Sequence, residues 1–190
     1  LESLVGNIYL GRVTDVLPGI QAAFIDIGME KNAFLYLGDA LPFASGKPGQ
    51  KRLGRRDCKP GIQDMVKAGQ EVMVQVLKEP FGSKGPRVTT RISLSGRYLV
   101  FVPGGNYLRI SRRIKSEEER IRLKNLLQKH LPAGAGAIIR TAALGAGEHE
   151  LLEDLRALHL LWKKLLQRMR CPAPALIHKG PEPVQGFLRD

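Results

Sequence analysis

The sequence has few cysteines and no long apolar run. Its two cysteines, Cys58 and Cys171, lie far apart and outside any CxxC motif, so neither a disulfide framework nor a zinc site is indicated. We therefore expect a reducing, cytoplasmic environment. No apolar stretch approaches the ~20 residues that cross a bilayer. Residues 1–13 also lack the basic and apolar regions of a secretory signal, so the sequence predicts a soluble, unexported protein.

Acidic residues are also scarce. The chain has 30 Lys and Arg against 18 Asp and Glu, a net charge of +12. Between Lys84 and Lys115 it has no Asp or Glu, while eight residues there are basic: Lys84, Arg87, Arg91, Arg97, Arg109, Arg112, Arg113 and Lys115. Such a stretch favours a partner with dense, regular negative charge, which points to nucleic acid. A solvated basic face that only maintains solubility is the alternative.

The N-terminal part contains five short strand-like segments with tight turns between the first three. The segments are NIYLGRVTDVL, IQAAFIDIG, NAFLYLG, EVMVQVLKE and RVTTRISL. This pattern predicts a closed five-stranded β-barrel of the OB type. A loop over about residues 39–67 separates the third and fourth segments, and its Gly, Pro, Lys and Arg content predicts a mobile basic segment. One interpretation is that this loop binds a nucleic-acid backbone through its charge. The alternative is that the loop is a solvated insertion.

Alternation along the second and third segments sorts the side chains into two faces. The apolar face contains Ala23, Ile25, Ile27, Ala33, Leu35 and Leu37. Phe24, Phe34 and Tyr36 fall on the other, more polar face. Unpaired bases stack on such aromatic platforms, each stack contributing about 1–3 kcal/mol. For each ring, packing beneath a loop is the alternative.

The C-terminal half reads as a second, α/β unit. GRYLVFVPGG is strand-like, Ser116 and Glu119 form a capping-box pattern that opens a helix, AIIRT is a short strand, and a helix follows over about residues 150–170. The apolar stripes of the two helices are Leu123, Leu126, Leu127 and Leu131 in the first, and Leu151, Leu155, Leu158, Trp162, Leu165 and Met169 in the second. We interpret both stripes as core.

Arg140 and Thr141 follow the short strand and are the candidate anion-binding pair. A guanidinium binds two phosphate oxygens and a hydroxyl donates to a third, which suits a terminal phosphomonoester better than an internal diester. Ser111, Arg112 and Arg113 are candidates for further donors. An ordinary surface arginine is the alternative.

The carboxylates do not predict a catalytic site within the chain. Hydrolysis assisted by Mg²⁺ needs carboxylates that converge on the ion. The available sets are Asp26 with Glu30, and Glu150 with Glu153 and Asp154. Pairs of this kind are common on solvent-facing surfaces, so we assign the chain no catalytic residue and no metal site.

Several long blocks, in this order, resemble the ribonuclease E/G family of bacterial endoribonucleases. They are GNIYLGRVTDVLPGIQAAFIDIG, KNAFLYL, GSKGPRVTTRISLSGRYLVFVP, ISRRI, IIRTAALG and PALIHKG. The resemblance covers nearly the whole chain. It implies an α+β architecture, in which residues 3–90 are an S1 RNA-binding domain with the OB fold and residues 91–184 are a small α/β 5′-sensor region that recognises a 5′-monophosphate. Residues 185–190 would begin an RNase H-like segment.

The resemblance also implies roles for particular residues. Phe24 and Phe34 match the family's RNA-contacting aromatics, and Lys84 is their basic neighbour. The positions of the sensor pocket are Gly96, Val100, Arg112, Arg113, Arg140 and Thr141. Of these, Arg140 and Thr141 are the expected direct phosphate ligands.

The family's catalytic Mg²⁺-binding aspartates and its zinc-link cysteines lie further along than Asp190. The resemblance therefore implies the RNA-binding, 5′-sensing part of a single-strand-specific, metal-dependent endoribonuclease in RNA processing and decay, including mRNA decay and rRNA processing. Its expected partner is single-stranded RNA, preferably 5′-monophosphorylated, and the parent is expected to be homo-oligomeric. The ends at Leu1 and Asp190 suggest a piece of a longer chain. The alternatives are a stand-alone single-stranded RNA-binding module without catalysis, and a ribosome- or rRNA-associated protein that binds through charge alone.

Overall fold

The computed structural model describes residues 2–40 and 60–181. Most of the predicted basic loop, Cys58 and residues 185–190 lie outside them. The described residues form ten strands: β1 (Ile8–Leu17), β2 (Ala22–Asp26), β3 (Ala33–Tyr36), β4 (Glu71–Lys78), β5 (Arg87–Thr89), β6 (Leu94–Ser95), β7 (Leu99–Val102), β8 (Leu108–Ile110), β9 (Gly136–Ile139) and β10 (Ala175–His178). They also form four α-helices: α1 (Leu37–Ala40), α2 (Ile62–Met65), α3 (Glu117–His130) and α4 (Glu148–Arg168).

The chain divides into two compact units. The described residues of the first unit fall within 2–40, 60–91 and 169–181, and those of the second within 92–168. The first unit is the predicted closed five-stranded barrel, in the order β1-β2-β3-β5-β4 with β4 returning to β1. Strands β3 and β5 are parallel, and the other neighbours are antiparallel. This topology confirms the predicted α+β fold class with an N-terminal OB-type barrel.

Side chains of β2 and β3 alternate between the interior of the barrel and its outer face. Ala23, Ile25, Ala33 and Leu35 have no exposed surface, whereas Phe24, Phe34 and Tyr36 are half-buried on the opposite face. The predicted faces of β2 and β3 are therefore confirmed. Leu37 departs from the pattern because the chain turns into α1 there, and it is only partly buried.

Strand β10 extends the barrel sheet and was not predicted to do so. Sequence order placed residues 175–178 with the C-terminal region, but they pair antiparallel with β1 at Ile8, Tyr9 and Leu10. Strand β2 pairs with β1 only from Arg12 onward. The first residues of β1 therefore have one open edge, and β10 satisfies its backbone groups.

The second unit is an α/β structure, as predicted. Its sheet has the order β6-β7-β9-β8, in which β8 and β9 are parallel. Helix α4 buries Leu151, Leu155, Leu158 and Leu165, while Trp162 is half-buried. The Ser116 side chain caps α3 by accepting from the Glu119 amide at 3.3 Å. Within the described ranges, no helix has the length and apolar character needed to cross a membrane.

Candidate nucleic-acid interface

An aromatic groove lies on the outer face of β2 and β3. Phe24 and Phe34 are directly opposite each other in the β2–β3 ladder. The rings of Phe34 and Tyr36 meet edge to face, with centroids 5.1 Å apart. All three aromatics line a groove of about 450 Å³. Its other lining residues are Asp15, Ile20, Ala22, Lys31, Asn32, Ser83, Lys84 and Gly85. The groove therefore offers half-exposed aromatic surface beside polar and basic groups.

Lys84 lies over this groove, as expected of a basic neighbour. Its Nζ is 5.9 Å from the centroid of the Phe34 ring. Arg87 lies nearby, with its guanidinium carbon 5.1 Å from the centroid of Tyr36. Its Nε, however, donates to Asp39 Oδ2 at 2.9 Å, and both side chains are largely buried. The charge of Arg87 is thus balanced within the protein, whereas the Lys84 side chain is exposed.

The basic stretch from Lys84 to Lys115 is divided between the two units. Lys84, Arg87 and Arg91 belong to the first unit, and the remaining five residues belong to the second. We therefore describe it as two basic groups.

A second polar cluster lies at the carboxyl end of β9. Leu99 at the start of β7 and Ile110 at the end of parallel β8 both pair with Ile139, the last residue of β9. The residues that flank these strand ends, Tyr98, Ser111 and Arg140, therefore meet at one edge of the sheet. Arg140 Nη1 donates to the Gly96 carbonyl at 2.7 Å. The hydroxyls of Thr141 and Ser111 are 2.8 Å apart.

The turn after β8 presents Arg112 and Arg113 as exposed side chains. Arg113 donates its backbone amide to Ser111 Oγ at 3.3 Å. From α3, Arg120 holds this turn by donating to the carbonyls of Ser111 and Ile114, both at 3.0 Å. The structure thus places four of the six predicted sensor-pocket residues, Arg112, Arg113, Arg140 and Thr141, at or beside this edge.

The other two predicted pocket residues contribute backbone and apolar surface. Gly96 supplies the carbonyl that accepts from Arg140, and a Cβ there would lie 2.5 Å from Asp154 Oδ1. Val100 is 2% exposed and pairs with Ile138. It therefore offers no polar group and belongs to the apolar support of the cluster.

Asp154 has a structural role that the sequence did not reveal. Its carboxylate accepts hydrogen bonds from the backbone amides of Arg97, Tyr98 and Leu99, at 3.1, 2.9 and 3.0 Å. One side chain of α4 thereby fixes the chain segment that follows Gly96. Its four-residue spacing from Glu150 placed both on one helix face, but spacing carries no information about what that face contacts. The Tyr98 hydroxyl donates to Glu150 at 3.3 Å.

Glu119 fixes the loop that follows Thr141. It accepts from the Arg122 guanidinium and from the Gly145 amide at 3.1 Å, while Arg122 donates to the Ala146 carbonyl at 3.0 Å. The hydrogen bonds from Arg122 and Gly145 hold the pKa of Glu119 below its usual value.

The described residues do not fit a metal ion. Among them, no three His, Cys, Asp or Glu side chains converge as a metal-binding group would require. The Asp154 carboxylate already binds three amides, and Asp26 Oδ1 accepts from the Gly28 amide at 2.8 Å. We therefore derive no metal-assisted step from this part of the chain.

A closed OB-type barrel with aromatic side chains beside a lysine is the class of structure that many single-strand nucleic-acid-binding proteins use. Comparison with known proteins identifies a particular family within this class. Residues 93–190 match the profile of the Ribonuclease E/G family. The chain is 48% identical to Ribonuclease G of Escherichia coli (strain K12) over 90% of its length, and 46% identical to Ribonuclease G of Haemophilus influenzae over all of it. It is 44% identical to Ribonuclease E of Nostoc sp. over 98% of its length.

The chain belongs to the ribonuclease E/G family, as the sequence blocks indicated. It spans 35%, 38% and 26% of the lengths of these three relatives.

Proposed function

We propose that this chain is the RNA-binding and 5′-end-sensing part of an endoribonuclease. The first unit binds unpaired bases by stacking them on Phe24 and Phe34, and Lys84 lies beside the phosphate backbone of the RNA. The second unit binds a 5′-monophosphate through Arg140 and Thr141. Residues 3–90 then correspond to an S1 domain and residues 91–184 to a 5′-sensor region, of which residues 169–181 group with the barrel in the first unit.

One observation carries this proposal: in a member of the ribonuclease E/G family, two consecutive residues at the end of a strand provide a guanidinium and a hydroxyl, each held by a hydrogen bond. Arg140 is oriented by the Gly96 carbonyl and Thr141 by Ser111, so both groups are fixed before a ligand arrives. Arg112 and Arg113 add positive charge from the adjacent turn. A monophosphate has more charge and more free oxygens than a diester, so this arrangement favours an RNA end.

The whole protein is proposed to be a single-strand-specific, metal-dependent endoribonuclease in bacterial RNA processing and decay. It would act in the cytoplasm as a homo-oligomer. The resemblance to the family implies that Mg²⁺ and structural zinc are held by residues of the whole protein that lie outside this chain.

The test is fluorescence anisotropy of this chain with an unstructured RNA that carries either a 5′-monophosphate or a 5′-hydroxyl. We expect tighter binding of the monophosphate. The double variant R140A/T141A should abolish this preference and retain general binding. Phe24→Ala should weaken both RNAs equally, because it removes one base stack of about 1–3 kcal/mol. Each variant is the control for the other.

Other outcomes would support the alternatives. Equal loss for both RNAs in R140A/T141A would refute the sensor assignment and leave a general single-stranded RNA-binding module. Steep salt dependence without any effect of strandedness or 5′ group would indicate binding through charge alone. Cleavage of the RNA by this chain would refute the assignment of catalysis to the rest of the protein.

A further inference from the structure

Phe81 is the most exposed large apolar side chain among the described residues, at 87% exposure. Single exposed apolar residues are common on protein surfaces and need no explanation by themselves. Phe81 differs because of its neighbours. It lies three residues before Lys84 in the turn whose Ser83, Lys84 and Gly85 line the aromatic groove.

The turn geometry directs Phe81 to the same side as Lys84. Phe81 and Lys84 exchange both backbone hydrogen bonds, at 3.1 and 3.0 Å. Residues paired in this way project their side chains from the same face of the ladder. Lys84 in turn lies over Phe34, which pairs with Phe24. Aromatic and basic groups therefore follow one another in the order Phe24, Phe34, Lys84, Phe81.

The turn is held firmly against the groove. Lys31 Nζ donates to the Gly82 carbonyl at 2.6 Å, and the Phe34 amide donates to the Pro86 carbonyl at 3.0 Å. Gly85 passes so close to β3 that a Cβ there would lie 2.0 Å from the Asn32 carbonyl oxygen. Phe81 is thus an exposed aromatic on a fixed support, which is what a stacking platform requires.

We propose that Phe81 is a third base-stacking platform, so that an RNA strand on the groove contacts Phe24, Phe34 and then Phe81 with its backbone beside Lys84. This inference rests on the proposed RNA-binding role of the groove and extends it to an aromatic outside the groove lining. The occupant is a nucleic-acid base, because the neighbouring Lys84 complements a phosphate backbone and the row continues from the two aromatics of the groove.

The experiment measures binding of this chain to an RNA of about ten nucleotides, within the site sizes of OB folds. The RNA carries a 5′-hydroxyl, so that binding of a 5′-phosphate by Arg140 and Thr141 does not contribute to the measured affinity. Phe81→Ala should weaken binding about five-fold or more, the loss of one stacked base. Phe81→Tyr should retain affinity, and Phe81→Leu should behave like the alanine variant because it keeps apolar area but has no ring. Leu176→Ala, which removes another exposed apolar side chain of the same unit, is the matched control and should have no effect.

A series of RNAs that each lack one base then locates the contact. The effect of Phe81→Ala should vanish when one particular base is absent. A different missing base should cancel the effect of Phe24→Ala. Unchanged affinity in Phe81→Ala, or an effect that no missing base cancels, would overturn the proposal. The proposed RNA-binding role of the groove is tested separately, since that role fails if Phe24→Ala leaves affinity unchanged, whatever the result for Phe81→Ala.

Discussion

Single backbone atoms determine how closely the elements of the groove approach. Gly85 lies where the chain passes β3, and a Cβ there would meet the carbonyl oxygen of Asn32 at 2.0 Å and its carbon at 2.8 Å. Both atoms belong to the backbone, which cannot move aside as a flexible side chain can. The requirement for glycine at this position is therefore steric.

We expect Gly85→Ala to lower the free energy of unfolding by about 1–3 kcal/mol, the usual cost of inserting atoms into a close-packed region. Urea denaturation measures this change. Gly38→Ala is the matched control, because nothing lies within 4 Å of a Cβ at Gly38 in α1. It should be neutral or slightly stabilising, since alanine favours helix more than glycine does. Equal stability of the two variants would contradict the steric explanation.

At the scale of elements, one carboxylate of helix α4 helps to position Arg140, which with Thr141 is a proposed phosphate ligand. Asp154 binds three successive amides after Gly96, and the Gly96 carbonyl orients Arg140. A substitution at Asp154 should therefore change the orientation of Arg140 indirectly, through the position of the Gly96 carbonyl. We therefore predict that Asp154 is a positioning residue.

We expect Asp154→Asn to be destabilised by about 1–3 kcal/mol, because an amide nitrogen would face backbone donors. It should also reduce the ratio of affinities for 5′-monophosphate and 5′-hydroxyl RNA. Thermal unfolding and anisotropy measure the two effects. Glu153→Gln, which alters an exposed carboxylate on the same helix, should change neither. A lower melting temperature with an unchanged ratio would show that Asp154 is purely structural.

Helix α3 is linked to the loop after Thr141 by Glu119, and this link depends on pH. The folded protein lowers the pKa of Glu119, chiefly through the hydrogen bond from Arg122. The stabilisation is fully present above the unfolded pKa of about 4.3 and is lost as pH falls through the lower folded value.

The stability difference between the native chain and Glu119→Gln should therefore be constant near neutral pH and shrink in acid. Urea denaturation at pH 7 and at about pH 3.5, below the unfolded pKa, measures it. Glu117→Gln, in the first turn of the same helix, should show a smaller difference because its expected contribution is the favourable charge at a helix start. A difference for Glu119→Gln that persists unchanged in acid would contradict the ionic origin of the link.

At the scale of the whole molecule, the two units use the excess of basic residues differently. In the first unit, Arg87 is balanced by Asp39, and Lys84 remains beside the aromatic groove. In the second unit, Arg109 lies over Tyr107, at 4.6 Å from the ring centroid, and Arg140 is held by a carbonyl. Net charge predicts a polyanionic partner, but only the local partner of each cation decides which charges are free to bind one.

The sequence by itself determined the barrel and the faces of its strands, because alternation of apolar side chains with period two is a local property. It also indicated the helices and the family, since apolar stripes and ordered sequence blocks are read directly along the chain. Ser116 was recognised as a helix cap for the same reason.

Only the tertiary structure decided which distant residues meet. It paired Asp154 with the amides after Gly96, Arg87 with Asp39, and β10 with the open edge of β1. It also placed Phe81 on the same side of a turn as Lys84. These contacts join residues far apart in sequence or depend on the geometry of a turn, and neither periodicity nor composition encodes such partners. They arise because buried or strand-edge polar groups must find hydrogen-bond partners wherever the fold brings them.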